Sequence, residues 1–218
     1  MKGDIIILEE HHKKVACTIV SHLIGKIIEK PTRYTLSVAG ESGSGKSETA
    51  LAIGDKLRES GIDSVVLSQD DYFYLPPKSN DIKRKQDPAW LGPDAEVDLN
   101  ILEHNLKDAI NGENEISKPL IDYSENSVEQ IKISLSGIKV IIAEGTYTSL
   151  LKNVDTRIFI ARNRLETFEH RAKRNRGTEM QDPFTEQILL TEHKIIAGHK
   201  QLADFVITKD YQVVIVSV

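Results

Sequence analysis

Apolar positions recur along this chain in two rhythms, one helical and one strand-like, and the switches between them set out the elements. Residues 9–29 carry Val15, Ile19, Val20, Leu23, Ile24, Ile27 and Ile28 on one helical stripe, interrupted by Gly25 and stopped by Pro31. The stripe predicts a helix packed on the domain's own surface, with a contact between two copies of the chain as the sharper alternative. His11 and His12 read as a solvated pair, because adjacent helical residues do not share a face. Tyr34–Ala39 is an apolar run of strand type, and Glu48–Arg58 resumes helical spacing at Leu51, Ile53 and Leu57. Gly61 then caps, and Ile62–Leu67 reads as a second strand. Asp98 heads a helix with Leu99, Leu102, Leu106 and Ile110 on one face, closed by Asn111-Gly112.

Further on, Glu115–Tyr123 and Val128–Leu135 read as strands joined by Ser124–Ser127, a hairpin projecting from the main sheet. Gly137–Ala143 is a buried strand ending in Glu144-Gly145, and Thr156–Ala161 is another. A helix begins near Arg164. A last one starts at Asp182-Pro183, with Ile188, Leu189, His193, Ile196 and Leu202 along its apolar side. Ala203–Ile207 and Val213–Val216 are closing strands. Residues 75–94, with Pro76, Pro77, Pro88, Pro93 and the charged run Lys83-Arg84-Lys85, predict a long loop serving as a mobile substrate flap. The charged run itself reads as a solvated face. The alternation of strands and helices predicts an α/β fold with a mostly parallel sheet.

Composition keeps this within one ordinary domain: of 218 residues, 39% are hydrophobic and 28% charged. The formal net charge of −5 argues against a general nucleic-acid partner, which calls for a basic field. No apolar run reaches the length of a membrane span, so no membrane partner is expected. Cys17 is alone, so no disulfide forms within the chain and a cytoplasmic setting is natural.

The chemistry is concentrated where the first strand gives way to a helix. Gly40-Glu41-Ser42-Gly43-Ser44-Gly45-Lys46-Ser47 fits G-x-x-x-x-G-K-[ST], the loop that cradles nucleoside triphosphates. Glycines let successive N–H groups turn toward phosphate oxygens, Lys46 brings a positive charge, the Ser47 hydroxyl suits Mg²⁺, and the helix opening at Glu48 adds its positive end. Ser68-Gln69-Asp70-Asp71-Tyr72-Phe73-Tyr74 follows the second strand, at the edge where open α/β sheets bind ligands. One Asp there can take a proton from a substrate hydroxyl while its neighbour holds Mg²⁺ through water. Glu144 ends a strand beside the loop and can fix the metal or its water shell. Trp90 either lines a pocket or pins the flap. Arg171, Lys173, Arg174 and Arg176 crowd a helix end, where their mutual repulsion is easiest to explain with a polyanion nearby. Glu192, His193 and His199 lack metal-site spacing and read as ordinary helix side chains. Thr208-Lys209-Asp210 lacks the Asn and spacer of a guanine reader.

From about Tyr34 to Val214 the chain resembles the uridine kinase and phosphoribulokinase family of P-loop kinases, which includes nicotinamide riboside kinases. The resemblance rests on the loop, Ser68–Phe73, Pro93-Asp94-Ala95, Lys118–Ser127, Ile142–Gly145, Arg171–Gly177 and Ala203–Ile207, in that order. It implies a three-layer α/β/α P-loop domain over residues 32–218, with a helical lid and a projecting hairpin, preceded by a helical extension over residues 1–31. It further implies ATP and Mg²⁺ as cofactors, a small-molecule hydroxyl as acceptor, and a homo-oligomer as an option. Asp70 matches the family's general base and Glu144 the acid beside Mg²⁺. Lys46 and Ser47 match the phosphate and metal ligands, and Asp70 also falls near the metal. The lid arginines match Arg171, Arg174 and Arg176, so Arg171 and Arg174 are expected at the transferring phosphate and Arg176, with Gly40–Glu48, at the cofactor. The acceptor is expected among Asp71, Tyr72, Tyr74, Trp90, Asp122 and Tyr123.

The departures concern that acceptor. The Tyr-Asp-Phe and His-Ser of uridine kinases appear here as Ile121-Asp122-Tyr123 and Asn126-Ser127. The Asp-His-Pro-Asp-Ala whose first Asp holds ribose hydroxyls appears as Leu91-Gly92-Pro93-Asp94-Ala95. Uridine or cytidine is the first expectation. A sugar, a sugar phosphate, nicotinamide riboside or a pantothenate-like acid is the alternative, with Lys78, Lys83, Arg84 and Lys85 available to an anionic one. A non-catalytic ATP-binding module is the reading from another class.

Overall fold

The computed structural model of the chain describes residues 6–168, 171 and 183–216. Six strands form the main sheet: β1 (Tyr34–Gly40), β2 (Ser64–Ser68), β5 (Val140–Glu144), β6 (Thr156–Ile160), β7 (Phe205–Ile207) and β8 (Val213–Ile215). Their order is β2-β5-β1-β6-β7-β8, parallel throughout except for β8, which runs antiparallel to β7. Strand β5 shows why these runs are nearly all apolar: every residue is buried, Val140 and Ile142 in one core and Ile141 and Ala143 in the other.

Helices α1 (Glu10–Glu29) and α2 (Lys46–Glu59) cover one face of the sheet. On the other lie α4 (Leu99–Ile110), the 3-10 turn Gln69–Tyr72 and the end of α5 (Pro183–Ile196). The result is three layers. The hairpin of β3 (Glu115–Asp122) and β4 (Ser127–Ser134) forms its own two-stranded sheet.

Helix α1 contributes Val15, Ala16, Ile19, Val20, Leu23 and Ile27 to the same core as β1, β5 and β6. Ile28, at the edge of its stripe, is 65% exposed, and in α2 Leu51 faces solvent while Ile53 and Leu57 are buried. The histidine pair differs from the sequence reading. His12 is fully buried; its Nδ1 accepts the Glu9 N–H at 3.1 Å and its Nε2 lies 3.2 Å from His11 Nε2, while the His11 ring sits 3.7 Å from that of Tyr211. The pair lies in the first helical turn, where the His12 ring folds back onto an unsatisfied N–H group and caps the helix instead of projecting into water.

Residues 75–94 also differ. They contain α3 (Pro77–Gln86) and a 3-10 turn, Pro88–Trp90, in place of one long loop. Pro77 stands where proline is tolerated, at the first helical position, and starts the helix. Leu202, expected on the apolar side of the last helix, is exposed in the 3-10 turn Ala197–Leu202 that follows α5. Lys173, Arg174 and Arg176 lie outside the described residues.

Candidate active site

The phosphate loop spans the gap between β1 and α2. Gly45 caps α2 with φ 97°, a left-handed conformation, and a side chain there would meet His12 Nε2 at 3.1 Å. Lys46 opens the helix and its Nζ reaches back to the Glu41 carbonyl at 3.0 Å. The Ser47 hydroxyl donates to Glu144 Oε2 at 3.2 Å. Sheet register makes that meeting possible, since Glu144 pairs with Val38 on one side and with Ser68 on the other. It therefore stands between the loop and the turn that carries Asp70. Burial, then the negative charge of Asp70, pushes the Glu144 carboxyl up to about 7, against the pull of Lys46. Two carboxylates and a hydroxyl crowded beside a phosphate cradle form an oxygen donor set of the kind Mg²⁺ prefers, so these residues fit that ion.

A cavity of about 320 Å³ opens onto Ser42 and Gly43 of the loop and onto Asp70. Asn80 and Arg84 of α3, Tyr123 of the hairpin, and Phe184 and Glu192 of α5 form other parts of its wall. Arg171 lines it too, its side-chain carbons lying against Gly43, where no Cβ intervenes. Its guanidinium donates to the Arg164 carbonyl at 2.8 Å and to the Thr167 hydroxyl at 2.5 Å. Burial lowers its pKa. Ser42 and Gly43 of the loop, Asp70 and Arg171 thus line one cavity.

Residues 35–209 match the model of the phosphoribulokinase / uridine kinase family. The chain belongs to that family. It is a P-loop kinase acting on a small molecule. It is 27% identical over 189 residues to the bifunctional α-galactosidase/sucrose kinase AgaSK of Mediterraneibacter gnavus, a match covering 82% of this chain and 20% of that longer protein. It is 28% identical over 185 residues to the uridine kinase of Shewanella pealeana, covering 80% and 87%. Among solved structures, a possible uridine kinase from Bacillus stearothermophilus shares the fold with a TM-score of 0.62 at 18% identity, covering 89% of this chain and 97% of that one. The phosphoribulokinase from Rhodobacter spheroides does so with a TM-score of 0.62 at 12% identity, covering 82% and 71%.

In this family member the expected acceptor residues part company. Tyr123 lines the cavity. Asp71 is buried in an ion pair with Lys118 Nζ at 2.5 Å and accepts the Ile121 N–H at 3.1 Å, which ties the turn that carries Asp70 to the hairpin. Tyr72 is buried and donates to Asn105 at 2.9 Å. Tyr74 is exposed, with its ring 6.3 Å from that of Trp90. Trp90 donates to Asn80 at 2.7 Å and so pins α3 from outside the cavity wall. The Asp122 carboxylate accepts from Ser124 N–H and hydroxyl and from Glu125 N–H, closing the hairpin turn. In α2, Glu48 is buried and accepts from the Ile7 N–H at 3.5 Å, on the side of the N-terminal segment. Arg174 and Arg176 lie outside the described residues.

Glu96, which the sequence had not singled out, also enters, as do residues read there as a solvated face or as ordinary helix side chains. Glu96, 1% exposed, accepts from Arg84 at 2.7 Å, from Asn80 at 3.2 Å and from the Gly92 N–H at 3.2 Å. Arg84 is therefore half-buried and paired, not part of a solvated face. Glu192 accepts from Ser42, and His193 meets Glu41 at 2.6 Å. His199 pairs with the Ser149 hydroxyl at 2.9 Å. A signal for Glu192 was present: with Leu189 and Ile196 it falls on one helical stripe, and an acid on a buried stripe needs a partner.

Proposed function

We propose that this protein transfers the terminal phosphoryl group of Mg-ATP to a hydroxyl of a neutral, polyhydroxylated acceptor, with a carbohydrate as the leading class. The observation that carries the reading is the single cavity shared by the loop residues Ser42 and Gly43 and by Asp70. Asp70 orients the acceptor hydroxyl and takes its proton, Lys46 and the loop N–H groups hold the phosphates, and Arg171 neutralises charge on the transferring group. Ser47 and Glu144, with Asp70 alongside, would hold the ion. Bound Mg²⁺ supplies neutralisation of the phosphate oxygens. The cytoplasm, where ATP is kept, is the setting that follows.

Electrostatics favours a neutral acceptor. Asp70, Asp81, Glu96, Glu186 and Glu192 line the cavity against Lys78, Arg84, Lys85 and Arg171. Arg84 is occupied by Glu96, and Lys85 lies over the Phe184 ring at 5.0 Å. The acids of the wall outnumber the bases five to four, and Arg171 is assigned to the transferring group, so a phosphorylated acceptor is disfavoured. The similarity to a sucrose kinase supports a sugar. Phe73 and Tyr123 in the wall keep a pyrimidine nucleoside as the second reading, supported by the Shewanella relative.

Coupled ADP release with Mg-ATP decides between them, using sucrose, monosaccharides, glycerate, uridine, cytidine and nicotinamide riboside as acceptors. Turnover with a sugar is expected, falling roughly 100-fold or more in Asp70→Asn. Turnover with uridine or cytidine alone would overturn the carbohydrate assignment, and unchanged turnover in Asp70→Asn would remove its role as base.

A further inference from the structure

Glu192 on α5 is 6% exposed, and both its oxygens go to one loop residue. Oε1 accepts the Ser42 N–H at 2.6 Å and Oε2 accepts the Ser42 hydroxyl at 2.8 Å. The next residue, His193, meets Glu41 Oε1 at 2.6 Å. Two successive residues of the helix thus grip two successive residues of the loop.

The peptide between Glu41 and Ser42 is where this matters. A trans peptide points its N–H and its carbonyl in opposite directions from one rigid plane. Here the N–H end is held by Glu192. The carbonyl end accepts from Lys46 Nζ at 3.0 Å and from the Ser44 N–H at 3.0 Å. Rotating the plane would release Lys46 and the Ser44 N–H together, so the carboxylate of α5 acts on the phosphate-binding lysine through a single peptide unit.

We infer that Glu192 is a positioning residue for phosphoryl transfer: by holding the Ser42 N–H it sets the Glu41–Ser42 peptide plane, and with it the loop shape and the starting position of Lys46. This rests on the nucleotide-binding part of the proposed function and adds α5, a wall of the acceptor cavity, to the machinery that shapes the phosphate site.

The test separates reach from charge. Glu192→Gln keeps both hydrogen bonds, its carbonyl oxygen taking the Ser42 N–H and its amide donating to the Ser42 hydroxyl, while the charge is lost. Glu192→Asp keeps the charge and withdraws it by one methylene, out of reach. Affinity for the ATP analogue AMP-PNP with Mg²⁺ is measured by calorimetry for the parent and both variants, with thermal melting run alongside. The Gln variant is expected within about threefold of the parent, and the Asp variant about tenfold or more weaker. Equal affinity in Asp and parent overturns the inference, as does a Gln variant as weak as Asp. Parent protein that does not bind AMP-PNP sinks the proposed function itself, whereas a binding parent with indistinguishable variants sinks only the role of Glu192.

Discussion

Glu144 is the residue at which the proposed function and stability pull apart. Its carboxyl is pushed up to about 7 from an ordinary 4.5, first by burial and then by Asp70. The folded, metal-free protein therefore binds a proton there that the unfolded chain releases between pH 4.5 and 7. Where the folded state binds more protons, stability falls as pH rises; this group alone removes about 3 kcal/mol across that window. Glu144→Gln cannot ionise, so the metal-free variant is expected to melt higher than the parent at pH 8 and with little difference at pH 4. The same variant should lose Mg²⁺-dependent nucleotide binding. Equal melting temperatures at pH 8 would show that the carboxyl is not strained in the free protein. Asp71 gives the complementary case: its partner Lys118 lies 47 positions away, so no local pattern marked it as a structural ion pair instead of an acceptor ligand.

Among elements, α3 was the least legible, and its energetics explain why. Its contacts come from Asn80 and Arg84, one helical turn apart, both on the Glu96 carboxylate. A polar face leaves no apolar stripe to read, and the prolines before and after suggested a loop. Lys78 N–H and Ser79 also meet Asn126 at the hairpin tip, at 2.9 and 3.1 Å, so the helix bridges Glu96 and the hairpin across the cavity. Glu96→Ala strands the Arg84 guanidinium and two N–H donors. The expected cost is about 3–5 kcal/mol, read as a lower urea midpoint, with acceptor KM rising more than nucleotide KM. A loss below about 1 kcal/mol would mean that solvent already satisfies Arg84. By contrast α4 was legible at both ends: Asp98 caps it by accepting the Ile101 N–H at 3.1 Å, Asn111 follows its last residue, Ile110, and Leu102 and Leu106 are buried as their spacing requires.

For the whole molecule, the decisive arrangement is a mostly parallel sheet with a separate apolar core on each face. Helix α1 precedes the matched residues 35–209, yet its stripe fills one of these cores and His12 abuts Gly45 of the loop. A chain beginning at residue 32 would expose the partners of Val15, Ile19, Leu23 and Ile27. It is expected to lose cooperative folding and collect in the insoluble fraction, and Ile19→Ala in the full chain should cost about 3 kcal/mol in chemical unfolding. A soluble truncated protein that binds AMP-PNP would show α1 to be dispensable.

What the sequence determined by itself was whatever local chemistry dictates. Closely spaced glycines with Lys46 and Ser47 specify a phosphate loop, apolar runs specify buried strands, and period and caps specify α1, α2 and α4, because each depends on residues within a few positions of one another. The ordered motifs were enough for the family. Only the tertiary structure decided which polar groups face the cavity. Glu96 collects α3, and Glu192 grips Ser42 from 150 positions away. A buried charge must find its partner wherever the packed fold brings one, and the packing of distant elements leaves no mark on the spacing of neighbours.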